Sequence, residues 1–229
     1  MQFSDMVFAD QVKDMNGSAI REIFHLLKVP GMISFAGGNP ASSALEPDVV
    51  SEIVSEVLKR DGTAILQYGA TEGYAPLRES IAEFVKGCGL STSADAVLPV
   101  TGSMQAMDLL CKVLINPGDA ILAEDPTFLG VLQTMRMYRA NIQPIATDEF
   151  GAIPESVEEQ IRKFKPKLIY IIPTFQNPTG KTLILERRMQ LAALASKYGV
   201  VLAEDDPYRD LRYAGEPLPA IKSFDEDGW

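Results

Sequence analysis

Beyond about residue 96, apolar residues occur in two alternating patterns, short continuous runs and runs at helical spacing. Val97–Val100 is a short apolar run, and Met104, Met107, Leu110, Cys111 and Leu114 then recur as one face of a helix. Ala120–Ala123 is a second run, followed by a helix predicted over about Phe128–Met137. Ile142–Ala146 is a third, after which Pro154 sits where a helix reaching Phe164 should begin. Leu168–Ile172 is apolar on both faces, as a buried parallel strand must be. Leu185, Met189, Ala192 and Ala193 mark another helix, ended near Gly199, and Val200–Ala203 is the last run. Five strands separated by four helices predict an α/β fold, a mostly parallel sheet flanked by helices. On such sheets ligands bind at the carboxyl ends of the strands, so the loops there carry the chemistry.

The first 95 residues read differently. Two helices are predicted, about Asp48–Arg60 and Pro76–Lys86, joined by Gly/Pro-rich stretches such as Phe35-Ala36-Gly37-Gly38-Asn39-Pro40. They read as an arm and cover for the sheet, and the chain carries no internal repeat or low-complexity tract.

Composition narrows the function classes. The 229 residues amount to about one and a half domains of ordinary size. A net charge of −10, with no cluster of Lys and Arg, argues against nucleic-acid or anionic-membrane partners. Two cysteines, Cys88 and Cys111, cannot make a disulfide framework and fit a reducing compartment. The single histidine, His25, excludes a His-rich zinc site and reads as structural. No stretch approaches a membrane span, and Met1–Asp5 lacks the basic start of a signal peptide, so a cytoplasmic protein is expected. The Asn16-Gly17-Ser18 sequon has no meaning without secretion.

Three loops carry candidate chemistry. Thr101-Gly102-Ser103-Met104-Gln105 joins a predicted strand to a helix start, where free N–H groups attract an anion; Ser103 reads equally as a helix cap. Phe175-Gln176-Asn177-Pro178-Thr179-Gly180-Lys181-Thr182 ends in Gly-Lys-Thr, but a P-loop needs glycine where Phe175 stands. No G-x-G-x-x-G occurs either, so nucleotide readings lose their support. Glu204-Asp205-Asp206-Pro207-Tyr208 places acids at a strand end, where they are solvated, bind metal or bind a cofactor.

Taken together, the loops resemble fold-type I pyridoxal-phosphate aminotransferases. Gly37-Gly38-Asn39-Pro40, Leu66-Gln67-Tyr68-Gly69 with Gly73, Thr101-Gly102-Ser103, Glu124-Asp125-Pro126-Thr127-Phe128, Asn177-Pro178-Thr179-Gly180 and Asp205-Asp206-Pro207-Tyr208 come in that family's order. The wording is closest to the branch of 2-aminoadipate and kynurenine aminotransferases and the aminotransferase-like domains of MocR-type regulators. The resemblance implies an aspartate-aminotransferase-like large domain with an N-terminal arm over 1–47, the cofactor domain occupying 48–229.

It also implies roles. Asp205 would pair with the pyridine nitrogen, and Asn177 and Tyr208 would bond the ring 3′-oxygen. Gly102, Ser103 and Met104 would hold the phosphate, although the family often has glutamine at the Met104 position. Phe128 would stack on the ring where tyrosine is common. Tyr68 would reach the phosphate of the neighbouring subunit, which implies a homodimer. Gly38 matches a substrate-side backbone position, and Ser18 and Arg21 resemble a segment that covers the substrate. Substrates would be an amino acid and a 2-oxo acid such as 2-oxoglutarate.

The family's Schiff-base lysine lies some tens of residues beyond the Asp205 position, in a Ser-x-Ser-Lys-like stretch that these 229 residues do not include. Lys222 and Lys181 have the settings of ordinary loop residues. The expectation is therefore a chain holding most of the cofactor domain without its lysine or the small C-terminal domain, and inactive alone. Two other readings remain, the effector-sensing domain of a MocR-type regulator and a non-catalytic remnant.

Overall fold

A computed structural model describes residues 9–13, 31, 33, 38 and 40–228. The chain divides into two compact units, Asp14–Thr71 and a larger one formed by Met1–Lys13 with Glu72–Trp229. Ser18 and Arg21 lie outside the described residues.

In the smaller unit, helix α1 spans Pro47–Asp61, with proline in its first turn and Lys59 and Arg60 in its last. Both placements suit a helix, since proline has no N–H to waste there and cations favour the C-terminal end. No residue of α1 is buried, and Val49, Val50, Ile53, Val54 and Leu58 form an exposed apolar stripe.

The larger unit holds the sheet. Helix α2 (Ala75–Phe84) passes into a 3₁₀ turn at Val85–Cys88. Helix α3 (Ser103–Leu114), strand β1 (Ala120–Glu124), helix α4 (Leu129–Met137) and strand β2 (Asn141–Ile145) follow. Two short strands, β3 (Thr147–Asp148) and β4 (Gly151–Ala152), pair antiparallel. Helix α5 (Pro154–Phe164), strand β5 (Leu168–Ile171), helix α6 (Leu185–Tyr198) and strand β6 (Val201–Glu204) complete the unit.

The main sheet has the order β2-β1-β5-β6, and every neighbouring pair is parallel. Period-two alternation divides its side chains between two cores. Leu122, Ile169 and Ile171 pack with Val157 and Ile161 of α5 and Leu191 and Ala192 of α6. Ile121, Ala123, Leu168 and Tyr170 pack with Met107 and Cys111 of α3 and Val131 and Met135 of α4. Helices thus cover both faces, and the central strands β1 and β5 are buried along their whole length, whereas the edge strands β2 and β6 are only partly buried.

One expectation needs correction. Val97–Val100 is not a strand: Val97 closes a turn on Ala94, and Pro99 has no N–H for a ladder. The β3–β4 pair was not expected, because two-residue strands are too short to show a period. Arg187 of α6 ties it down, its guanidinium gripping both oxygens of Asp148 at 2.6 and 2.7 Å.

Candidate active site

Three adjacent strands, β1, β5 and β6, deliver their following loops side by side. Beyond β1 the chain passes a cis Asp125–Pro126 bond to Phe128, the residue that precedes α4. Beyond β5 it forms a loop, with a cis Asn177–Pro178 bond, closed by the Leu183 N–H on Pro173 and the Gln176 N–H on Lys181. Beyond β6 come Asp205, Asp206 and Tyr208, and the Asp205 N–H bonds the Ile171 carbonyl at 2.9 Å, continuing the ladder.

Side chains from these loops meet in pairs. The Asn177 amide donates to the Tyr208 hydroxyl at 3.2 Å. The Tyr170 hydroxyl, rising from the centre of β5, donates to Asp205 Oδ2 at 2.6 Å. Asn177, Asp205 and Tyr208 are all half-buried. A cleft of 590 Å³ opens beside Asn177 and Tyr208, lined also by Phe175, Leu211 and Tyr213. That is within the ordinary range for a small-molecule site.

Helix α3 begins at Ser103, after Gly102 in a left-handed conformation with φ 82°. A side chain at Gly102 would be strained there, which is why glycine fits. No side-chain oxygen caps α3, and its first backbone bonds run from Gln105 and Ala106 to the Gly102 carbonyl. The N–H groups of Ser103 and Met104 precede those bonds and lie at the positive end of the helix, which suits an anion. Phe128 lies beside this start: a Cβ at Gly130 would come within 2.6 Å of the Phe128 ring and 3.2 Å of the Met104 sulfur. Gly130 therefore makes room for the ring, and any larger residue would displace it.

Tyr68, in the smaller unit, is completely exposed, and Gly38 is exposed. Lys222 pairs with Asp225 on the 3₁₀ turn Ile221–Phe224. Among the described residues no group of three or more His, Cys, Asp or Glu side chains is arranged to hold a metal ion. The three consecutive acids at the end of β6, Glu204, Asp205 and Asp206, have separate tasks. Glu204 accepts the Ile221 and Lys222 N–H groups at 2.9 and 3.2 Å and so fixes the segment that follows. Asp206 has one buried oxygen without a hydrogen-bond partner.

Several positioning residues escaped the sequence reading. Buried Gln176 joins two loops: its amide N–H donates to the Pro126 carbonyl at 2.7 Å, and its oxygen accepts the Thr179 N–H and hydroxyl at 3.0 and 2.7 Å. Arg188, fully buried in α6, donates to the carbonyls of Leu183, Pro219 and Pro173, each at 2.9 Å, and to the Thr174 hydroxyl at 3.0 Å. It closes the Asn177 loop from beneath. No sequence signal marks either residue, since a loop glutamine and a helical arginine both read as solvated.

Glu124, buried at the end of β1, accepts the Ile172 N–H at 2.9 Å. Burial pushes its carboxyl from the ordinary 4.5 up to about 7, against the pull of the Ile172 and Gln176 hydrogen bonds. Its contribution to stability is therefore complete below pH 4.5 and lost as pH rises from there through about 7. From about pH 5 to about pH 8 this removes about 2 kcal/mol. Glu124→Gln keeps an acceptor for Ile172 without the titration, so urea midpoints of the variant should fall less over that range. An equal fall in both proteins would contradict the assignment.

The sequence model of a family described as aminotransferase class I and II matches residues 30–228. Aromatic-amino-acid aminotransferase 1 of Thermococcus litoralis is 40% identical over 227 residues, covering 96% of this chain and 54% of its own length. The crystal structure of Pyrococcus horikoshii kynurenine aminotransferase with PMP, kynurenine and its product superimposes with a TM-score of 0.90 at 35% identity, covering 99% of this chain and 57% of that one. An uncharacterized HTH-type transcriptional regulator of Escherichia coli, YdcR, is 29% identical over 221 residues, 96% of this chain and 47% of its own. The chain spans about half the length of the curated relatives it matches. With the family model matching nearly the whole chain and this fold beneath it, the chain belongs to the aminotransferase class I and II family.

Proposed function

We propose that this chain forms the cofactor-holding part of a pyridoxal-phosphate-dependent aminotransferase, which moves an amino group between an amino acid and a 2-oxo acid, 2-oxoglutarate being the expected acceptor. The observation that carries this is the convergence, at adjoining strand ends, of the Asn177–Tyr208 and Tyr170–Asp205 pairs. The donor set fits the cofactor: an uncapped helix start for its phosphate, an aromatic face for its ring, and an anion for its ring nitrogen.

When bound, pyridoxal phosphate supplies an electron sink for breaking a bond at the substrate Cα. The protein's part is binding and orientation. Ser103 and Met104 hold the phosphate by their N–H groups after Gly102, with the Ser103 hydroxyl beside them. Phe128 lies against the ring. Asn177 and Tyr208 bond the ring oxygen, and Asp205 keeps a proton on the ring nitrogen, so that the ring draws electrons. Residues 1–47 act as an arm, from which Ser18, Arg21 and Gly38 meet the substrate.

The enzyme works as a cytoplasmic homodimer, Tyr68 reaching the neighbouring subunit's phosphate; its complete exposure leaves it available. The product of the whole gene, supplied with pyridoxal phosphate, 2-oxoglutarate and aromatic or 2-aminoadipate donors, should release glutamate. A product that binds the cofactor yet transfers no amino group from any donor would favour the second reading, an effector-sensing domain, which the likeness to YdcR supports.

A further inference from the structure

The Tyr170 hydroxyl is unusual for its surroundings. Tyr170 lies at the centre of β5, with Ala123 of β1 on one side and Ala203 of β6 on the other. It is fully buried among Met107, Cys111, Ile121 and Met135. A phenol in such a core needs a partner, and this one reaches past the end of the sheet to Asp205 Oδ2 at 2.6 Å. Burial and the Asp205 carboxylate push the phenol well above its ordinary pKa, so it remains a donor at every working pH. A phenylalanine here would pack equally well, so packing alone does not account for the hydroxyl.

We propose that Tyr170 is a positioning residue for the cofactor: its hydroxyl, donating to Asp205 Oδ2, fixes the carboxylate so that Oδ1 is presented to the pyridine nitrogen. This rests on the assignment of Asp205 as the partner of that nitrogen. The carboxylate is thus restrained twice, by the Tyr170 hydroxyl on the side chain and by the Asp205 N–H on the Ile171 carbonyl. Both restraints come from neighbouring residues of β5, the strand in which sequence separation from Asp205 is more than thirty residues. Orientation of this kind lets a single carboxylate oxygen act without first losing rotational freedom.

The test uses pyridoxamine 5′-phosphate, which binds without a covalent lysine, labelled with ¹⁵N in its ring. Tyr170→Phe should weaken binding by about tenfold, the loss of one hydrogen bond to a charged acceptor. The ring ¹⁵N resonance should move from the pyridinium toward the pyridine position. In an Asp205→Ala background, Tyr170→Phe should change neither quantity, because the two residues act as one unit. The unsubstituted chain offers a reading that does not depend on folding of the variant: the Tyr170 hydroxyl proton should shift when pyridoxamine phosphate binds and draws on the Asp205 charge. An unmoved hydroxyl resonance, or a Tyr170→Phe protein with unchanged affinity and ¹⁵N shift while Asp205→Ala loses affinity, overturns the inference about Tyr170. Unchanged affinity in Asp205→Ala itself overturns the assignment of Asp205 on which it rests.

Discussion

Asp205→Ala should weaken the binding of pyridoxamine 5′-phosphate by about a hundredfold or more, a larger effect than its cost in folding stability. The reason is the asymmetry of charge pairs away from water. Truncating one member leaves the other desolvated and unpaired, which costs about 3–5 kcal/mol when burial is complete. Asp205 is half-buried, and a bound ring would cover it further, so the lower end of that range applies. Stability should fall by about 1–3 kcal/mol, because the fully buried Tyr170 hydroxyl loses the carboxylate to which it donates. Asp205→Asn retains an acceptor for Tyr170 but not the charge, so it should lose nearly as much affinity. Calorimetric titration reads both, and an asparagine variant that binds as tightly as the parent would show that charge is not what Asp205 contributes.

Arg188→Ala should cost about 4 kcal/mol of folding stability, the largest effect of any single substitution considered. The fully buried guanidinium serves three carbonyls and one hydroxyl, all but the Pro219 carbonyl in buried surroundings. Its deletion strands those acceptors and leaves a cavity, two mechanisms that add. Burial pulls the arginine pKa down, while the charges of Glu204 and Asp206 act in the opposite sense. Arg188→Lys keeps a cation but loses the planar fork, so a single ammonium cannot reach all four acceptors, and an intermediate loss is expected. Urea unfolding checks both variants. A fall of less than about 1 kcal/mol in Arg188→Ala would mean the loop beneath Asn177 closes without this brace.

How much of this could be read from sequence depends on the kind of signal each residue leaves. Strands β1 and β5 are near-continuous apolar runs because both faces are buried, the edge strands β2 and β6 are less so, and the positions of all four are legible to within a residue or two. Val97–Val100 has the same apolar look but stays outside the sheet, since hydrophobicity records burial and cannot report a missing ladder partner. The loops that hold Asn177, Asp205 and Tyr208 stood out as polar stretches following apolar runs, while the roles proposed for these residues came from the family resemblance and not from the pattern. Gln176, Glu124 and Arg188 were not, for their roles consist of bonds to backbone groups far away in sequence, and backbone carries no identity. Tyr170 lies between these cases. A hydroxyl inside a strand with no other polar atom announces that it has a partner, but only the pairing of β5 with β6 reveals which.

In the proposed function, the ends of β1, β5 and β6 together with the start of α3 form a pyridoxal-phosphate site. A crystal structure of the chain soaked with pyridoxamine 5′-phosphate tests it most directly. The phosphate is expected on the Ser103 and Met104 N–H groups, the ring against Phe128, and the ring nitrogen within hydrogen-bond distance of Asp205 Oδ1. Density for the ligand elsewhere, or a ring turned so that its nitrogen faces away from Asp205, would contradict it.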